Sequence, residues 1–98
     1  MQSLRDLAKT VEILMKRVHV EVLDGRRDVK VYVNTNLSTM TVHAVVSVGR
    51  NRGMTNESWS AASVDYPHIM LERMSLNQLY GELTTLIVTH TYNITEQS

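Results

Sequence analysis

"VHVEVLDGRRDVKVYV" (Val18–Val33) decides how many strands this chain has. Val18, Val20 and Val22 alternate with His19, Glu21 and Leu23, and a period of two in β-branched residues reads as a strand. Asp24-Gly25 follows, one of the strongest short signals for a hairpin turn. Val29, Val31 and Val33 then alternate with Lys30, Tyr32 and Asn34, which predicts a second strand paired to the first.

Upstream, the period is that of a helix. Leu4, Leu7, Ala8, Val11, Leu14, Met15 and Val18 fall on one face, with Arg5, Asp6, Lys9, Glu12, Lys16 and Arg17 elsewhere. Ser3 is a suitable N-cap and Asp6 suits the open N–H groups of the first turn. Downstream, "TNLS" (Thr35–Ser38) is a turn. Met40, Val42, Ala44, Val46 and Val48 alternate with Thr41, His43, Val45 and Ser47, the most secure strand in the chain. "GRNRG" (Gly49–Gly53) reads as the tip of a hairpin, and "ESWSAASVDY" (Glu57–Tyr66) as a fourth strand ended by Pro67. Residues 68–74 fit either a helical turn or a short extended piece.

Ser75 and Gln78 form a capping box, with Met74 placed to staple onto Leu79. Leu76, Leu79, Tyr80, Leu83, Leu86 and Ile87 share a helical face. Thr84–Thr95 is crowded with β-branched residues. A helix to about residue 90 is expected; the alternative is a helix to Leu83 followed by a fifth strand. The expected fold is therefore α+β, a two-layer sandwich. It has a four-stranded antiparallel meander with N- and C-terminal helices packed on one face, order αββββα, as a single domain over residues 1–98.

Composition narrows the function. The 98 residues hold ten Lys/Arg and ten Asp/Glu, for a formal net charge of zero. Residues 1–52 carry nine of the cations and five of the acids, a net of +4, and residues 53–98 a net of −4. Such asymmetry marks either a polyanion-binding half or an association surface. The absence of Cys excludes a disulfide framework, thiolate metal sites and a cysteine nucleophile. No apolar run approaches the roughly 18 residues of a membrane span. The first residues lack the uninterrupted apolar stretch of a signal peptide, so a cytoplasmic location without membrane contact is expected.

Two candidate surfaces follow from the meander. Alternate hairpin tips share one end of the sheet, which gathers Arg26 and Arg27 with Arg50 and Arg52, two strand spacings or roughly 10 Å apart. Guanidiniums there can fork onto carboxylates or phosphates. The uncovered sheet face carries Leu23, Tyr32, His43, Val45 and Trp59 beside His19 and Glu21. That is more apolar than a wetted face needs, so it suits pairing into a homodimer.

No sequence feature supports catalysis. His19, His43, His68 and His90 show no metal-ligand spacing, no Ser sits in a G-x-S-x-G elbow, and "GRNRG" lacks the length and lysine of a phosphate loop. Neither an enzyme nor a cofactor is expected. The order helix–strand–strand–strand–helix within the chain resembles double-stranded-RNA-binding domains in element order alone. Those domains set a basic cluster at the start of the last helix, where this chain has "SLNQLYGEL". The resulting expectation is a small non-enzymatic interaction protein of accessory or inhibitor type, homodimeric, as is common in bacteria and phages. It would bind a larger protein partner through the arginine rim. The alternative is a nucleic-acid-binding module that uses the same arginines on phosphates.

Overall fold

Residues 2–50, with Arg50 by its backbone alone, and residues 58–96 are described by a computed structural model. Helix α1 spans Leu4–Glu21 and is capped by Ser3, whose Oγ accepts from the Asp6 N–H at 3.1 Å. Its stripe of Leu4, Leu7, Ala8, Val11, Leu14, Met15 and Val18 is buried. The strand expected over Val18–Leu23 does not form. Val18 completes the helical row begun at Leu14 and Met15, and that burial overrides the modest strand preference of valine. Val20 and Val22 point elsewhere and stay 63% and 45% exposed, so their alternation with Val18 has no structural meaning.

Asp24-Gly25 is correspondingly a helix stop and not a hairpin turn. Asp24 and Gly25 both take left-handed backbone, with φ of 56° and 68°, a region that glycine enters without steric cost. The Gly25 N–H donates to the His19 carbonyl at 2.8 Å, and the His19 Nε2 donates to the Arg26 carbonyl at 2.7 Å. These bonds reverse the chain into the first strand.

Among the described residues the sheet has three antiparallel strands: β1 (Val29–Asn36), β2 (Thr41–Arg50) and β3 (Ser58–Pro67), in the order β1-β2-β3. Val29 pairs with Val48 and Asn36 with Thr41 across β1 and β2, while Val42 pairs with Tyr66 and Arg50 with Ser58 across β2 and β3. The β1–β2 turn is held by Asn36, whose Oδ1 accepts from the Ser38 and Thr39 N–H groups at 3.0 and 3.3 Å. Met40, expected in a strand, closes that turn with φ of 52°.

One residue series on each strand faces the helices. Val29, Val42, Ala44, Val46, Val48 and Tyr66 join the core, and Val31, Val33, Ala62 and Val64 pack against it. Residues 68–74 resolve into the short helix α2 (His68–Arg73), which buries only Leu71. Helix α3 (Leu76–Thr95) starts at Ser75, whose Oγ accepts from the Gln78 N–H at 3.1 Å. It buries Leu79, Leu83, Ile87, Thr91 and Ile94, running five residues beyond the expected end, with no fifth strand.

The threonines that argued for a strand are accommodated by the helix itself. Thr84, Thr85, Thr91 and Thr95 each return a hydroxyl hydrogen bond to the carbonyl four residues earlier, at 2.7 to 3.0 Å. That satisfies their polar atoms locally, even for Thr91 in the core. The two long helices also touch each other: Tyr80 Oη donates to Glu21 Oε1 at 2.8 Å, with the Arg17 guanidinium 5.3 Å from the Tyr80 ring centre. Among the described residues, no helix is long and apolar enough to cross a membrane.

Gly25→Ala places a Cβ in left-handed backbone at the helix stop. It is expected to cost about 1 kcal/mol or more in urea unfolding, without changing the helix content of the folded state.

Candidate functional site

The sheet face turned away from the helices is the leading candidate surface. The register puts Lys30, Tyr32 and Asn34 of β1, His43, Val45, Ser47 and Gly49 of β2, and Trp59, Ala61, Ser63 and Asp65 of β3 on it. Of the expected association residues, Tyr32, His43, Val45 and Trp59 therefore share one face. Leu23 does not. It lies in the turn after α1 and packs against the core on the other side, as the missing first strand requires, and His19 and Glu21 leave the sheet with it.

Toward one end of this face, Trp59 reaches across β2. Gly49 is its register partner, and a Cβ built there would meet the indole ring carbons at 3.1 Å. Only a residue without a side chain lets the ring approach the backbone this closely. From β1, on the far side of β2, the Lys30 ammonium sits 4.4 Å from the Trp59 ring centre. Such a cation–π contact is worth about 0.5–1 kcal/mol at an exposed site. Further along the face, between Tyr32 and Ser63 in the register, Val45 is buried outside the main core, while Tyr32 and Trp59 stay 47% and 37% exposed. The result is a positioned aromatic patch.

Of the expected arginine rim, the side chains of Arg26 and Arg27 lie within the described residues. Because no strand precedes β1, the turn that carries Arg26 and Arg27 lies directly beside the end of β2. The Gly49 N–H donates to the Asp28 carbonyl at 2.7 Å. Arg26 is engaged within the chain, its Nε and Nη2 donating to the two carboxylate oxygens of Asp28 at 3.0 and 2.6 Å. Those hydrogen bonds hold the Asp28 carboxyl below the usual aspartate range. Arg27 is exposed. Arg50 ends β2, with its side chain outside the described residues, as is the whole of Arg52.

Toward the opposite end, the face opens into a polar cleft of about 780 Å³ between the β1–β2 turn and a cross-strand pair of His43 and Asp65. His43 Nδ1 and an Asp65 carboxylate oxygen are hydrogen-bonded. That bond orients the imidazole but supplies no nucleophile. Among the described residues, no three His, Asp or Glu side chains are grouped to hold a metal ion.

No family model, curated protein or solved structure matches this chain. The argument for function therefore stands on the geometry. Lys30 was expected on this face; Gly49 and Asp65 escaped the sequence reading, although a glycine in a strand often marks a close approach.

Two measurements follow. Gly49→Val is expected to lift the indole from the sheet and red-shift the emission of Trp59, the chain's single tryptophan. The second concerns Asp28, whose folded pKa is depressed, so its contribution is complete above the ordinary value near 4. It is lost as pH falls below that through the folded value. Stability of Asp28→Asn should accordingly fall less than wild type on acidification from about pH 5.

Proposed function

We propose that this protein is a small non-enzymatic interaction module, of accessory or inhibitor type, that docks on a larger protein partner and modulates it. The docking surface is the open face of a two-layer body whose helices cover the other side of the sheet. The observation that carries the reading is the Trp59 ring held over Gly49 by Lys30, with exposed Tyr32 on the same face. Tryptophan and tyrosine dominate the energetics of protein interfaces. A side chain already fixed in place loses little conformational freedom on binding. Arg27, in the turn beside the end of β2, supplies a cation for an acidic rim on the partner.

Nucleic acid is the second reading, favoured by one observation: two aromatic rings and a lysine share an open sheet face, an arrangement on which bases stack. Three features weigh against it. Asp65 lies on that same face, Arg26 is neutralised by Asp28, and the start of α3 carries no Lys or Arg.

The test uses the intact chain. Wild-type protein is expected to retain a specific protein from its native extract, and Tyr32→Ala/Trp59→Ala is expected to lose it with an unchanged melting temperature. Titration with single- and double-stranded oligonucleotides should leave Trp59 emission unchanged. Quenching that weakens steeply with added salt would overturn the protein-partner reading in favour of phosphate binding.

A further inference from the structure

The outer edge of β3 is built to pair with another strand. The Gly49 N–H is directed at β1, where it meets the Asp28 carbonyl. Backbone groups alternate sides along a strand, so those of Val42, Ala44, Val46 and Val48 face β3. Their partners there are Tyr66, Val64, Ala62 and Ser60. The backbone groups of the intervening residues Ala61, Ser63 and Asp65 therefore point outward, away from the sheet. Pro67 continues that outward series, where its missing N–H removes no ladder bond.

Ala61, Ser63 and Asp65 are exposed, and among the described residues none of their backbone groups bonds to another segment. Soluble proteins guard such edges with lysines, prolines or covering loops. From Ser58 to Val64 this strand has no charged residue and no proline. Above the same margin, on the helix side, runs a groove of about 370 Å³ between Val64 and Tyr66 of β3 and Gly81 and Thr85 of α3. Glycine weakens a helix interior, yet a Cβ at Gly81 would meet nothing within 4 Å. The space over it is open.

Charge selects the occupant. On the open face, the Lys30 ammonium of β1 lies over Trp59 near the start of β3, and the Asp65 carboxylate, hydrogen-bonded to His43, lies near its end. A strand that is positive at one end and negative at the other is complementary to itself when reversed. We infer that β3 pairs antiparallel with β3 of a second copy about a two-fold axis at Ala62, joining two sheets into one of six strands. Ala61 of each copy then exchanges backbone hydrogen bonds with Ser63 of the other. Asp65 of each copy lies opposite Trp59, whose ring carries the Lys30 ammonium further in on the same face, so the interface is isologous and closed. This goes beyond the docking reading above and does not rest on it. It moves the homodimer expected from the sequence off the sheet face and onto the sheet edge, leaving that face free and doubling it.

The absence of Cys makes the register directly testable. Ala62 opposes itself across the axis in a non-hydrogen-bonded pair, with Cα atoms about 4.5 Å apart, inside the span a disulfide bridges. Ala62→Cys is expected to oxidise to a covalent dimer, and Ser60→Cys and Val64→Cys are not. Light scattering over a dilution series should show a dimer for wild type and a folded monomer for Ala61→Pro, which removes an outward donor. Asp65→Lys should weaken self-association by about tenfold or more, and Lys30→Asp in that background should restore it. If Ala61→Pro fails to fold, the cysteine and charge variants decide the matter. Any of three results overturns the inference: wild type monomeric at every concentration, a dimer indifferent to Asp65→Lys, or a dimer in which Ala62→Cys does not cross-link. A monomer whose edge instead takes up an extended peptide from another protein also overturns it. Ala61→Pro that is monomeric but still retains the protein partner separates this inference from the docking reading.

Discussion

Burial of the α1 stripe against the inward valines of the sheet is the contact on which the other features depend. Val11, Met15 and Val18 are fully buried, as are Val42, Val46 and Val48 across from them, with Val29 nearly so. Holding Val18 in that stripe commits the chain to helix through Glu21 and forces a reversal before Val29. The left-handed pair Asp24 and Gly25 makes the reversal, and Asp28 arrives beside Gly49. From there the phase of β1 is set: Val29, Val31 and Val33 face inward, and Lys30 and Tyr32 outward. A slip of one residue would exchange the two faces completely. The exposed aromatic surface is thus a consequence of where a helix ends.

The outward face is organised by an absence. At Gly49 there is no side chain, so an indole from one edge strand lies over the central strand and meets a lysine from the other edge. The three strands are tied together on that side by Trp59 and Lys30, and on the other by the core. His43 and Asp65 add a polar cross-strand pair further along. The aromatic and cationic groups are stacked toward one end of this surface, and the acidic group lies toward the other. The same strand that carries Trp59 and Asp65 also ends the sheet. Face and edge are therefore separate surfaces with different physics, one offering side chains and the other offering backbone groups.

Helix α3 shows how local chemistry settles a conflict of propensities. Its second half is rich in threonine, valine and isoleucine, which lose rotamer freedom in a helix. The threonine hydroxyls recover part of that cost by bonding back to the preceding turn, and Leu83, Ile87, Thr91 and Ile94 give the segment a buried helical row.

From the residues alone, two helix starts, the core face of α1, the alternation of β1 and β2 and the strand ended by Pro67 were legible, because each rests on interactions within a few residues. Tyr32, His43 and Val45 could be assigned to one face for the same reason: a period of two fixes side-chain direction without knowing the neighbours, whereas Trp59 joined them only subject to the register of its weakly patterned strand. Val18–Leu23 was not legible, since Val18 satisfies both periods and only contact with the sheet distinguishes it from exposed Val20 and Val22. Leu23 left the candidate surface with that strand. Asp24 and Asp28 were both legible as near enough to offset some of the arginine charge, but that Asp28 takes Arg26 in a two-pronged bond depends on the shape of the turn. The fit of Trp59 over Gly49, like the outward direction of the β3 backbone, depends on pairing between strands distant in the chain. Local pattern determines which way a side chain faces along its own element, whereas what it meets there is decided by tertiary packing.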